Sequence, residues 1–122
     1  MSEYTWVLFS ADEKRRIVLQ GIESLASERP CPHCGNLSLR WYCHELRRYS
    51  GRAVMIEWCP ECRRFATMMI ESLSRMYRVS DPLDQTTLQD LIETKSPISL
   101  LWKLDDKWSR GLLPQKISPR TH

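Results

Sequence analysis

Apolar positions change their period along this chain, and each change marks an element. Tyr4 to Phe9 is rich in aromatic and β-branched residues and predicts a short strand. Ser10-Ala11-Asp12-Glu13 then has the pattern of a capping box, with Ser10 as N-cap and Glu13 reaching back. Ile17, Val18, Gly21, Ile22 and Leu25 share one helical face, while Lys14, Arg15, Arg16 and Glu23 are polar. Arg29-Pro30 is expected to end that helix.

From Leu37 the period becomes two. Leu37, Leu39, Trp41 and Cys43 lie on one face of a strand predicted over Leu37 to Leu46, and His44 points to the other face, expected in solvent. A second strand is predicted over Ala53 to Trp58, with Val54, Ile56 and Trp58 on one face and Met55 on the other. A third, antiparallel strand follows over Phe65 to Ile70, where Met68 and Ile70 oppose Met69. Apolar residues on both faces imply cover on both sides of this sheet.

Arg47 to Arg52 makes the first turn, with Ser50-Gly51 supplying the reversal. Asp81-Pro82 breaks the chain, and a helix is expected from about Asp84 to Glu93, with Leu88, Leu91 and Ile92 inward. Ser96-Pro97 is an N-cap followed by proline at the first helical position. The next helix carries Ile98, Leu101, Trp102, Leu104 and Trp108 and stops near Gly111. Trp102, Trp108, Leu112 and Leu113 are expected in the core. The pattern is that of one α+β domain: an N-terminal strand and helix over 1–30, a three-stranded antiparallel ribbon over 31–70, C-terminal helices packed on it over 81–113, and a polar tail over 114–122.

The candidate chemistry is four cysteines in two knuckles, Cys31-Pro32-His33-Cys34-Gly35 and Cys59-Pro60-Glu61-Cys62. The inner pair, Cys34 and Cys59, is separated by 24 residues. Two thiolates three residues apart grip one ion, and a second pair closes a tetrahedral site. Proline within each pair, and glycine after the first, help the backbone curl around the ligands. A redox CxxC would need one pair opening a helix in a βαβ unit, and disulfides would suit a secreted chain. Two pairs, no βαβ pattern and an amino-terminal run without a basic segment favour zinc over both. Four thiolates leave no open coordination position, so the zinc is read as structural.

Cys43 is too far along an extended strand from Cys34 to join the site and reads as a small buried apolar residue. His33, inside the first knuckle, could replace a cysteine, but the four thiolates are better placed.

With 122 residues, 42% hydrophobic and 27% charged, the composition is that of an ordinary globular domain. No apolar run approaches the roughly 20 residues that span a bilayer. Cysteines in metal spacing point to a reducing compartment, the cytoplasm. A net charge of +3 is too small to indicate nucleic acid by itself.

Catalytic patterns are missing. No glycine-rich phosphate loop, nucleophile elbow or helical histidine pair occurs, and Cys43 and His44 point apart on a strand. Asp81, Asp84, Asp90, Asp105 and Asp106 are explained by solvation and capping. The expectation is a non-enzymatic binding protein with no small-molecule substrate. Its candidate binding residues are Arg47, Arg48, Tyr49 and Arg52 at the hairpin tip, joined by Arg40 and Tyr42. Arginine with interleaved aromatics suits phosphate and bases, and equally suits protein interfaces. A solvated hairpin whose arginines balance Glu45 and Glu57 remains an equal reading.

The stretch Cys31-Pro-His-Cys-Gly, the Leu-Ser-Leu-Arg-Trp-Tyr strand, the arginine-rich hairpin and Trp58-Cys-Pro-Glu-Cys-Arg-Arg-Phe65 resembles zinc ribbons of small bacterial immunity proteins encoded beside polymorphic toxins. The resemblance covers about a third of the chain, mostly in residues that any ribbon requires. It implies an inhibitor that binds one cognate protein toxin and occludes its active site. The alternative is a nucleic-acid-binding ribbon that uses the arginine hairpin. Ribbons also serve transcription, but the Asp-Glu tip of a transcript-cleavage ribbon is absent.

Overall fold

Helix α1 (Ala11–Leu19) begins where the capping box places it. The Ser10 hydroxyl accepts from the Glu13 N–H at 3.1 Å, and the Glu13 carboxylate accepts from the Ser10 N–H at 2.9 Å. The computed structural model describes residues 6–20, 28–45, 53–70, 77–79, 97–113, 115 and 117–119. Within them, α1 follows strand β1 (Val7–Leu8), and β2 (Arg29–Pro30) precedes the central strands β3 (Leu37–Glu45), β4 (Ala53–Cys59) and β5 (Arg64–Ile70). A two-stranded sheet of β6 (Tyr77–Val79) and β7 (Ile117–Pro119) brackets helix α2 (Pro97–Ser109) in the chain.

The fold class is α+β, but the sheet is larger than three strands. It has five, in the order β1-β5-β4-β3-β2. The central three are antiparallel as expected, with Tyr42 opposite Ile56 and Trp58 opposite Phe65. β2 extends the sheet antiparallel to β3, and β1 runs parallel to β5, so the sheet is mixed. The strand expected over Tyr4 to Phe9 contains β1, though its place in this sheet was not expected, and β2 has two residues, too few to display an alternating pattern. Val7 and Leu8 are also both exposed, and Pro30 reads as a breaker.

Direct partners across an antiparallel ladder share a face. Tyr42, Ile56, Trp58 and Phe65 therefore form one apolar surface, and Leu100, Leu101 and Leu104 of α2 cover it together with Trp6 and Leu113. On the other face, Leu39, Cys59 and Ala66 pack with Phe9, Cys31 and Ile17 of α1. Burying an aliphatic side chain of this size contributes about 1.5–3 kcal/mol. Cover on both faces explains why strands β4 and β5 carry apolar residues on both.

Several side chains differ from expectation because a second layer sits where solvent was assumed. His44 is buried at 8% exposure, stacked against the Tyr42 ring at 6.5 Å. Asp105 is no surface cap: it accepts from Arg40 at 2.7 Å and from the Trp58 indole N–H at 2.9 Å, seating α2 on the sheet. The expected tail contributes β7, and Gln115 is buried. Its amide accepts from the Cys43 N–H at 2.6 Å and donates to the Cys43 carbonyl at 2.8 Å, imitating a neighbouring strand. Cys43 itself is buried, as its strand position implies.

The described part of α1 ends at Leu19, earlier than Arg29-Pro30, and those two residues form β2 instead. Val18 is exposed although the helical pattern put it inward, because the sheet meets α1 through Ile17. Trp102 and Leu112 are likewise exposed, while Leu113 is buried and Trp108 packs at the core margin. α2 stops at Gly111, which has φ +81°; the Leu112 N–H donates to the Lys107 carbonyl at 2.9 Å and the Gly111 N–H to Trp108 at 3.0 Å, a Schellman close. The helix expected over Asp84 to Glu93 lies outside the described residues.

Candidate metal centre

The two knuckles flank the central strands. Cys31 follows β2, and Cys59 ends β4, so the β3–β4 ladder carries one knuckle to the other. Each knuckle closes on itself. The Gly35 N–H donates to the Cys31 carbonyl at 2.9 Å, and the Arg63 N–H donates to the Cys59 carbonyl at 2.8 Å. Both fifth residues take left-handed backbone, Gly35 at φ +78° and Arg63 at φ +55°. Glycine adopts this freely, whereas an ordinary residue there costs about 1–2 kcal/mol.

These turns bring Cys31, Cys34, Cys59 and Cys62 together, with all four sulfurs within 4.8 Å of one another. Across the knuckles, Cys31 Sγ is 3.7 Å from Cys62 Sγ, and Cys34 Sγ is 3.7 Å from Cys59 Sγ. A tetrahedral ion with 2.3 Å bonds to sulfur sets neighbouring sulfurs about 3.8 Å apart. The geometry fits a four-thiolate ion. Cys43 stands outside the cluster, and so does His33, whose Nδ1 lies 2.7 Å from the Glu13 carboxylate.

The electrostatics favour a cation at the centre. Burial pushes the Cys31 thiol above its ordinary range. The same cause, with Cys59 beside it, pushes Cys62 far up. For Cys34 burial also pushes upward, but a hydrogen bond from the Asn36 backbone and contacts with neighbouring sulfurs outweigh it and leave the thiol lowered. Crowded, partly buried thiols resist ionising together, and a divalent ion reverses that balance. Second-sphere groups are present: the Ser38 hydroxyl sits 3.0 Å from Cys59 Sγ, and the His33 N–H donates to Cys31 Sγ at 3.4 Å.

Each knuckle is also tied to a helix. His33 and Glu13 join the first knuckle to the start of α1. The Arg63 guanidinium lies 5.6 Å from the centroid of the Trp102 ring on α2, and Trp102 meets Trp6 edge-on at 5.3 Å. Sequence patterning missed both ties. Aligning the knuckles residue by residue exposes the second, because Arg63 stands where the first has glycine.

Arg47, Arg48, Tyr49 and Arg52, the expected partner-binding residues, lie outside the described residues. Their supposed companions on β3 are engaged internally. Tyr42 is buried, and Arg40 pairs with Glu28 at 3.1 Å and Asp105 at 2.7 Å with its guanidinium 5.6 Å from the Trp108 ring centroid. Nor does Glu57 balance the hairpin: it is buried against Arg29, which also donates to Gln20 at 3.1 Å. Burial pushes the Glu57 carboxyl up, and the Arg29 charge opposes it.

Among the described residues, no helix is long and apolar enough to cross a membrane. No protein family, curated protein or solved structure compared with this chain matches it.

Proposed function

We propose that this chain is a non-enzymatic, cytoplasmic binding protein whose fold is stapled by a structural zinc ion in a ribbon-type site. Its partner is a cognate protein toxin, which it neutralises by covering the toxin's active site. The closed four-cysteine cluster carries the first part of this reading. Four thiolates saturate a tetrahedral ion and leave no position for a substrate or activated water. The cysteines that could act as nucleophiles become ligands, so the metal serves stability and not turnover.

The toxin assignment rests on the resemblance of the knuckles and central strands to immunity ribbons. The internal engagement of Tyr42 and Arg40 also supports a protein partner over nucleic acid, since it removes two residues from the proposed arginine–aromatic platform.

Metal analysis should find one zinc per chain, distinguished from iron, which the same tetrahedral sulfur set accepts. The functional test co-expresses this chain with the protein encoded beside it. Growth arrest by that neighbour alone, relieved by this chain, supports the reading. Association abolished by nuclease treatment would instead assign a nucleic-acid partner.

A further inference from the structure

The four sulfurs of the cluster differ in access. Cys31 and Cys59 are buried at 2% and 0% exposure, Cys62 is half-buried, and only Cys34 of the four is exposed. The turn beside it is bare. A Cβ at Gly35 would meet nothing within 4 Å, and the flanking His33 and Asn36 are exposed as well. A cysteine that ligates a metal is held as thiolate, the form that attacks an oxidant. Access therefore singles out Cys34 as the ligand that a small oxidant in solution reaches first.

Contacts decide where an oxidised Cys34 turns next. Its Sγ meets Cys59 Sγ of the opposite knuckle at 3.7 Å. Cys31 Sγ is engaged elsewhere, with Cys62 Sγ at 3.7 Å and the His33 N–H at 3.4 Å. Cys59 is held in place, since it ends β4 opposite Arg64 of β5 and is fully buried. The pairing of Cys34 with Cys59 thus runs between the knuckles, unlike the disulfide within one CxxC that a redox motif closes.

We propose that Cys34 is a peroxide-sensitive site whose oxidation exchanges the metal staple for a disulfide between Cys34 and Cys59. This rests on the reading of the cluster as a structural zinc site. The Cys34 thiolate attacks one oxygen of hydrogen peroxide, the O–O bond breaks, and the departing hydroxide takes up a proton to become water. Cys34 is left as a sulfenic acid. The Cys59 thiolate then attacks the Cys34 sulfur, the S–O bond breaks, and a second hydroxide leaves and is protonated to water. Two thiolates give up two electrons, and the peroxide is reduced to two waters with uptake of two protons. With two of its four ligands gone the site releases its ion, and Cys31 and Cys62 remain as thiols in contact. The knuckles stay joined, because a covalent bond closes the loop that the ion had closed. Oxidation therefore preserves the fold, whereas chelation of the reduced chain removes the staple and puts nothing in its place.

Hydrogen peroxide added to the zinc-loaded full chain tests this. Zinc content measured beforehand separates two failures: a reduced chain without zinc contradicts the metal reading, and the disulfide map still decides the pairing. A dione probe for sulfenic acid should label Cys34 before any other cysteine. A chromogenic chelator should report about one zinc released per chain as the disulfide forms, with the far-UV circular dichroism unchanged. After trypsin without reductant, the peptide carrying Cys31 and Cys34 should be joined to the one carrying Cys59 and Cys62, and fragmentation should place the bond between Cys34 and Cys59. Cys34→Ser should slow this joining about tenfold or more, and Cys43→Ser should leave it unchanged. First labelling at another cysteine, a disulfide within either knuckle, zinc lost without a disulfide, or loss of the folded spectrum on oxidation would overturn the proposal.

Discussion

The first knuckle closes with Gly35 and leans on α1 through the polar pair His33–Glu13. The second closes the same turn with Arg63 and leans on α2 through the face of Trp102. A Cβ at Gly35 would meet nothing within 4 Å, so glycine is used there for its backbone alone. At Arg63 the backbone cost is accepted, and the side chain gained is a cation over an aromatic ring. Contacts of this kind contribute about 0.5–1 kcal/mol at exposed sites, comparable to the strain they offset. One knuckle is thus relaxed and lightly tethered. The other is strained and tied to the main aromatic core.

The largest test of that contrast is metal removal, which touches both knuckles. Structural zinc contributes on the order of 10 kcal/mol, so chelation should unfold the chain as followed by circular dichroism. Ligand substitutions should then separate the knuckles. Cys59→Ser, at a fully buried sulfur beside Ser38, should cost more stability than Cys34→Ser, whose exposed position lets water replace the lost ligand. Cys43→Ser, outside the cluster, should cost least of the three. Equal losses at Cys59 and Cys34 would erase the asymmetry.

Next in size is the seat of α2. Asp105→Ala removes the acceptor shared by Arg40 and Trp58, leaving the Trp58 indole N–H without it and Arg40 with Glu28, so about 1–3 kcal/mol should be lost in urea denaturation. If Arg63–Trp102 were instead the principal tie, Trp102→Ala would cost more than Asp105→Ala, and the order would reverse.

Backbone strain makes a sharper and smaller test. Gly35→Ala should destabilise by about 1–2 kcal/mol through its positive φ. At the second knuckle, Arg63→Gly should be more stable than Arg63→Ala by about 1 kcal/mol, since both lose the stack and only alanine keeps the strain. Thermal midpoints of the zinc-loaded variants would read both differences.

The smallest effect concerns the tether of the first knuckle. Glu13→Ala deletes the acceptor of the Ser10 N–H and the partner of His33, at a cost of about 0.5–1 kcal/mol, while Glu13→Gln should keep most of the cap. The Ser10 backbone N–H, helped by His33 and opposed by burial, holds the Glu13 carboxyl below its ordinary range. Its contribution is therefore present above that range and lost as pH falls through the folded value. The difference between native chain and Glu13→Gln should shrink on acidification.

Local patterning carried a good deal of this structure. The capping box needs four residues in order, and Ser10 to Glu13 form it. The central strands were legible because alternation over seven to nine residues is long enough to register. Cys31, Cys34, Cys59 and Cys62 were legible because metal ligation demands fixed spacing within each knuckle. The strand expected over Tyr4 to Phe9 contains β1, but its pairing with β5 escaped, β2 escaped because two residues carry no period, and the roles of Asp105 and Gln115 escaped because their partners lie 47 and 72 residues away in the chain.

By itself, then, the sequence determined what depends on near neighbours: the cap of α1, the three central strands, the two knuckles and the stop at Gly111. Tertiary structure alone decided what depends on which surfaces meet. It buried His44 and Tyr42 under a second layer, turned Gln115 into a substitute strand for Cys43, and aimed Arg63 at Trp102. It also placed β1 beside β5 and β2 beside β3, because one face of a strand can be read from alternation but its neighbours in the sheet cannot.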